Sequence, residues 1–235
     1  MRRPLILDLD FTLLHLEWRP GSIEVPGRTR SAWIAPQTAQ ILAQLSQNWD
    51  IVLATARSFD GTKWVVDGLE KYGAATAFLV IEDGARLGER GDALRAFEPR
   101  FDLVKWRALL ENSPHRFEWQ NDFQSCLVAR CETGEQGETV FLDWAARFEN
   151  QANEVRFFRD GRKVYALPAR ADKWRALQLL LGERAAQAAG VGDGANDLVW
   201  LPNVAFPATF ARAKPVLVEK ISERGGFVSA LDGHD

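Results

Sequence analysis

The chain has 235 residues, a formal net charge of −3 and an apolar fraction of 46%. That is enough to bury a core, which excludes a disordered chain, and the slight acidity with scattered Lys and Arg lacks the footprint of a nucleic-acid binder. No apolar run approaches membrane-spanning length, and Leu5 to Leu9, after Met1-Arg2-Arg3-Pro4, is too short and too acidic for a signal peptide. A cytoplasmic protein with neither a membrane nor a nucleic-acid partner is expected, as a monomer or small homo-oligomer.

Leu5 to Asp10 reads as a buried parallel strand with acids at its carboxyl end, since a short apolar run ending in polar residues fits a strand covered on both faces. A Pro- and Gly-bearing loop is expected from about Phe11 to Pro36. A helix follows from Pro36 to Gln47, with Ile41, Leu42 and Leu45 on one side. Asp50 to Thr55 reads as a second buried strand, Thr62 to Tyr72 as a helix stopped by Gly73, and Ala77 to Ile81 as a third strand. This alternation predicts a doubly wound, mostly parallel α/β sheet of Rossmann-like type.

The pattern then changes. Ala96 to Leu110 is helical, with Leu103, Trp106 and Leu110 at helical spacing, and His115–Gln120 with Gln124–Cys131 reads as a strand pair turning at Asn121-Asp122. Glu138 to Asn150 is a helix with Val140, Trp144 and Phe148 on one face. The apolar runs Glu154–Phe158 and Lys163–Leu167 flank Asp160-Gly161, a hairpin signal. The order αββ–αββ predicts an α+β insert. Cys126 and Cys131, an odd number apart along one strand, point to opposite faces, so buried thiols are expected rather than a disulfide.

Parallel grammar returns after Pro168. A helix is expected from Lys173 to about Arg184, a strand from Ala188 to Val191 ending at Gly192-Asp193, and short strands near Val204–Phe206 and Val216–Val218. The expected division is a catalytic core of residues 1–87 and 168–235 around a cap of residues 88–167.

Four polar features fall where these core elements end: Asp8-Leu9-Asp10-Phe11-Thr12, Thr55-Ala56-Arg57, Lys173, and Gly192-Asp193-Gly194-Ala195-Asn196-Asp197. In open α/β sheets, ligands bind beyond the carboxyl ends of the strands. Asp8 and Asp10, two apart, share one side of a strand tip, and Asp193 adds a third carboxylate from another. Three acids around one position is hard-cation chemistry, and Mg²⁺ fits it best. Taken singly, each feature has a plainer reading. Thr55 caps a helix, Lys173 is a solvated residue after an Asp172 cap, and Arg57 is a surface charge. A Lys at a helix start opposes the helix dipole, which points to an anion nearby.

In this order, Asp8 to Leu14, Thr55, Lys173 and Gly192 to Leu198 resemble the four motifs of the haloacid dehalogenase superfamily. The insert between the second and third motifs resembles that of the C2-capped subgroup, which includes sucrose-phosphatase-like and Cof-like sugar phosphatases. The resemblance implies that Asp8 attacks phosphorus and that Asp10 is the acid and then the base. It implies that Thr55 and Lys173 bind phosphoryl oxygens. Mg²⁺ would be held by the Asp8 side chain, the Asp10 main-chain carbonyl and Asp193, with Asn196 and Asp197 orienting its waters and Lys173. Arg57 and Asn196 are candidates for substrate contact. Phe11 and Ala56 stand where Gly is common in the family, and Asp83-Gly84-Ala85 where Asn-Gly-Ala is usual.

The function so implied is a Mg²⁺-dependent phosphatase of a small phosphorylated metabolite, with a sugar phosphate expected. A phosphohexomutase-type phosphotransferase and a noncatalytic phosphate-ligand-binding protein are the alternatives. Trp18, Arg19, Arg28, Arg30, Trp33, Arg116, Trp119 and Arg130 are either sugar-packing and acid-reading residues or ordinary core and surface. His15, His115 and His234 have no metal-ligand spacing.

Overall fold

A computed structural model of the chain describes residues 2–27 and 30–230, so Arg28 and His234 lie outside the described residues. In chain order the elements are β1 (Arg3–Leu7), β2 (Ile23–Val25), β3 (Ala32–Ile34), α1 (Pro36–Leu45), β4 (Trp49–Ala54), α2 (Phe59–Glu70), β5 (Thr76–Ile81) and β6 (Arg86–Glu89). Then come β7 (Arg95–Ala96), α3 (Leu103–Glu111), β8 (Glu118–Trp119), β9 (Leu127–Arg130), α4 (Gly134–Arg147), β10 (Val155–Asp160) and β11 (Lys163–Pro168). The chain closes with α5 (Lys173–Leu181), β12 (Ala189–Val191), β13 (Phe206–Phe210), α6 (Pro215–Glu223) and β14 (Phe227–Ser229). Two compact units result, Met1–Leu94 with Asp172–Asp235, and Arg95–Ala171. Among the described residues, no helix is long and apolar enough to cross a membrane.

In the first unit the sheet runs in the order β14-β13-β12-β1-β4-β5-β6. Every pair from β14 to β5 is parallel, and β6 returns antiparallel on β5. The fold is therefore the mostly parallel α/β sheet that the strand–helix alternation implies. The central strands are apolar on both faces because both are covered: Ile6, Leu53, Val52 and Val80 are buried, with Val65 and Leu69 of α2 and Leu42 of α1 among the packing residues. Ser58 caps α2 by accepting from the Gly61 amide at 3.4 Å, and Asp172 caps α5 by accepting from the Arg175 amide at 2.8 Å.

The second unit has an antiparallel sheet in the order β10-β11-β9-β8, and its elements follow one another as αββαββ from α3 to β11. Trp106, Leu110, Val140 and Trp144 of the two helices pack on Leu127, Ala129, Val164 and Ala166. Cys126 and Cys131 are buried and are not joined in a disulfide.

Several elements differ from the sequence reading. Val216–Val218 is not a strand but part of α6, where Pro215 sits at the first helical turn and Leu217 and Ile221, one turn apart, are buried. A short apolar run suits either structure, and here the spacing one turn on decides it. The last strand is β14, and β13 begins at Phe206 rather than Val204. The Phe11–Pro36 loop contains the β2–β3 hairpin. α3 starts at Leu103 because the Asp102 carboxylate caps it, accepting from the Lys105 amide at 2.9 Å. The junction between units falls at 94/95 rather than 87/88, since β6 stays with the sheet through its pairing on β5.

Candidate functional site

The register of three adjacent parallel strands sets the site. Leu7 pairs with Leu53 on one side and Val191 on the other, so Asp8, Ala54-Thr55 and Gly192-Asp193 leave the sheet side by side at its carboxyl edge. The Asp8 amide continues the ladder to Val191 O at 3.0 Å, and the Thr55 amide reaches Val80 O at 2.9 Å. Beyond Asp10 the chain doubles back: the Leu13 and Leu14 amides both donate to Leu9 O, and the Phe11 amide donates to Leu14 O at 2.9 Å. That turn needs φ +61 at Phe11, a left-handed conformation that bulky side chains avoid. This explains why Gly suits the position, and the Phe11 ring is 56% exposed.

Lys173 is the hub. Its ammonium is fully buried and donates to Asp8 Oδ1 at 2.7 Å and Asp197 Oδ1 at 2.8 Å. Asp197 is saturated: Oδ1 also accepts from Trp200 Nε1 at 2.8 Å, and Oδ2 accepts from the Asp193 and Gly194 amides at 3.1 and 2.9 Å. Its carboxylate thus folds the Gly192–Asp197 loop and fixes Lys173. Asp193 projects from that loop, and its Oδ1 accepts from Thr12 Oγ1 at 3.2 Å.

Asp8, Asp193 and Asp197 each offer an oxygen within 4.8 Å of the others. Asp10 stands apart from this cluster, because Arg57 grips both its oxygens, Nε on Oδ2 at 2.9 Å and an Nη on Oδ1 at 2.6 Å. Thr55 is buried with its hydroxyl accepting from the Arg57 amide at 3.2 Å. Asn196 turns to Asp83, its Nδ2 donating to Oδ1 at 3.4 Å. The sequence reading names Thr12 within the first motif but brings no attention to its bond to Asp193, to Trp200 or to the Arg57–Asp10 pairing. Trp200 lies three residues past Asp197 and carries no motif signal.

The charges do not balance. Burial, then Asp197, push the Asp8 carboxyl well above its ordinary value, against the pull of Lys173. Burial works to deprotonate Lys173, yet Asp197, Asp8 and Asp83 together outweigh it and raise its pKa. Asp193 is pushed up to about 7, by burial first and Asp197 next, with the Thr12 hydrogen bond pulling the other way. Three clustered carboxylates sharing one ammonium carry an excess of negative charge, which a hard divalent cation would neutralise. The residues therefore fit Mg²⁺.

A doubly wound sheet with a carboxylate cluster at its strand tips and an αββαββ insert is the build of a haloacid dehalogenase-like hydrolase. One such hydrolase, from Bacteroides thetaiotaomicron, superposes with a TM-score of 0.69 at 15% identity, over 97% of this chain and 94% of that one. The sucrose-phosphatase of Synechocystis, solved with sucrose and phosphate, gives 0.69 at 17% identity over 98% and 93%. A haloacid dehalogenase-like hydrolase of Bacillus subtilis (B. subtilis) gives 0.64 at 18% over 95% and 93%. At these identities the likeness is one of fold.

A family model for NLI interacting factor-like phosphatases matches residues 4–154, and the chain belongs to that family. No curated protein matches it.

Proposed function

We propose that this protein is a Mg²⁺-dependent phosphatase that hydrolyses a small-molecule phosphate monoester, a sugar phosphate being the favoured class, with Asp8 as nucleophile. One observation carries the reading. Lys173 holds Asp8 Oδ1 at 2.7 Å, while Oδ2 has no hydrogen-bond partner among the described residues. One oxygen is fixed and the other is left to react.

Asp8 Oδ2 attacks phosphorus and the bond to the leaving oxygen breaks, giving an aspartyl-phosphate and splitting one difficult displacement into two. Asp10 gives the leaving oxygen its proton, then takes one from the water that hydrolyses the intermediate and restores Asp8. For this Asp10 must leave the two-point grip of Arg57, whose guanidinium is then available to phosphoryl oxygens. Thr55, from the neighbouring strand tip, and Lys173 bind those oxygens, and Asn196 is a further substrate contact. Asp8, Asp193 and the Asp10 main-chain carbonyl would hold the Mg²⁺, with Asp197 ordering its loop. When bound, the ion supplies positive charge between nucleophile and phosphoryl oxygens.

The test is phosphate release from a panel of sugar phosphates and an aryl phosphate, with Mg²⁺ or with chelator. Release is expected only with Mg²⁺ and is expected to vanish in Asp8→Asn. Isomerised sugar phosphate without free phosphate, or Mg²⁺ binding without any turnover, contradicts the phosphatase reading.

A further inference from the structure

We infer that Trp200 is a positioning residue for this site: its indole N–H sets the Asp197 carboxylate, and through it the backbone that carries Asp193 and the ammonium of Lys173. The roles of those two residues toward Mg²⁺ and phosphate rest on the phosphatase reading above.

Trp200 is fully buried, and the neighbouring strand makes the room for it. A Cβ at Gly190 of β12 would lie 2.6 Å from Cζ3 of the indole, so glycine there lets the ring lie against the strand. A Cβ at Gly192 would lie 2.6 Å from Asp197 Oδ2, so the carboxylate also reaches its seat where a side chain is missing. The Trp200 amide donates to Asp197 O at 3.1 Å, a turn that brings the indole back to the side chain three residues earlier. Nε1 then donates to Asp197 Oδ1 at 2.8 Å. A buried indole N–H needs an acceptor, so the contact satisfies the tryptophan as well.

Control runs from the ring to the carboxylate. Asp197 accepts two hydrogen bonds at each oxygen, from Lys173 and Trp200 at Oδ1 and from the Asp193 and Gly194 amides at Oδ2. Lys173 reaches it on a flexible stem. The two amides belong to the loop that the carboxylate itself holds. The indole alone is a rigid plane anchored elsewhere, against Gly190 of β12. With Oδ1 held by the indole, Oδ2 faces the Asp193 and Gly194 amides, and the Lys173 ammonium is set between Asp197 Oδ1 and Asp8 Oδ1. One N–H thus stands behind both carboxylates, Asp8 and Asp193, that would hold Mg²⁺. Losing a group bonded directly to a metal ligand costs about 10- to 100-fold in affinity, and Trp200 acts one bond further out, so about 3- to 10-fold is expected.

The donor is removed in two ways: by Trp200→Phe, and by benzothienylalanine at position 200, which keeps the shape of tryptophan with sulfur in place of the N–H. Amide hydrogen exchange of the metal-free protein compares the Asp193 and Gly194 amides with those of the central strands β1 and β4. Exchange at Asp193 and Gly194 is expected to quicken about tenfold more than in the central strands, the worth of a lost hydrogen bond to a charged group. Calorimetric titration with Mg²⁺ alone is expected to show a dissociation constant raised about 3- to 10-fold in both variants. Equal acceleration in loop and central strands, or a change in Trp200→Phe that the isostere does not share, shows that Trp200 supplies bulk alone. Either overturns the positioning role and leaves the phosphatase reading standing. Loosened amides with unchanged Mg²⁺ affinity overturn it too, since the effect then stops short of the metal carboxylates. Wild type that binds no Mg²⁺ sinks the phosphatase reading, and the exchange comparison alone then decides whether the indole sets the loop.

Discussion

Replacing Lys173 with Met keeps the aliphatic stem and removes the buried ammonium. Two charge-assisted hydrogen bonds go, at 2.7 and 2.8 Å, and Asp8 and Asp197 are left facing each other out of water. Breaking a buried ion pair from one side costs about 3–5 kcal/mol. For a chain of this size each kcal/mol is about 2–4 °C in Tm, so the loss is about 6–20 °C. Asp197 keeps three donors, from Trp200 and two amides, so Asp8 is the group that must respond. Its carboxyl already lies well above the ordinary value through burial and Asp197, and without Lys173 it rises further. An acid whose folded pKa is raised contributes its stability below the ordinary value and loses it as pH climbs through the folded one. The gap between Lys173→Met and wild type is therefore expected to be widest near pH 8 and to narrow towards about pH 5. Thermal melts with chelator across that range measure it. A variant within about 1 kcal/mol of wild type near pH 8, or a gap that widens on acidification, refutes the reasoning.

Asp193, pushed up to about 7, gives a second pH signature. The metal-free protein is expected to lose stability as pH rises from about 4 through about 7, and Mg²⁺ affinity to climb by up to tenfold per pH unit over that range and to level off above about 7, because binding needs the ionised carboxylate. Calorimetric titration in two buffers checks this, and pH-independent binding contradicts it. Trp200→Phe removes the indole donor to Asp197 Oδ1 and is expected to destabilise by about 1–3 kcal/mol and to lower kcat, read by urea unfolding and turnover. Phe11→Gly relieves φ +61 at an exposed ring. The gain of about 1–2 kcal/mol exceeds or matches glycine's entropy of about 0.5–1, so stability is expected to hold or rise. A loss above about 1 kcal/mol in urea unfolding would show that the strain is absent.

The strand tips are legible because their chemistry is local. An apolar run ending in Asp8-Leu9-Asp10, and another opening into Gly192-Asp193-Gly194, announce polar ends of buried strands without any tertiary knowledge. The αββαββ insert is legible through helical spacing at Trp106, Leu110, Val140 and Trp144 and the Asp160-Gly161 turn. What escapes is what depends on long-range contact. Val216 to Val218 form a helix because Leu217 and Ile221 share a buried face, a fact that a three-residue apolar run does not carry. Trp200 caps Asp197 from inside the core, where an isolated Trp reads only as bulk. Arg57 lies two residues beyond Thr55, yet its two-point grip on Asp10 spans 47 positions. The left-handed turn at Glu82-Asp83-Gly84 is set by Thr55, Arg57 and Asp172, and only Gly84 hints at it.

The most direct test of the account is to trap the intermediate. Enzyme with Mg²⁺ and a turned-over monoester is quenched in acid during the steady state, reduced with borohydride and mapped by mass spectrometry. The account predicts that Asp8, and no other carboxylate, has become homoserine, the mark of an aspartyl-phosphate. Phosphate release with Asp8 unmodified under quench conditions that preserve acyl phosphates, or with the mark on another residue, would contradict it.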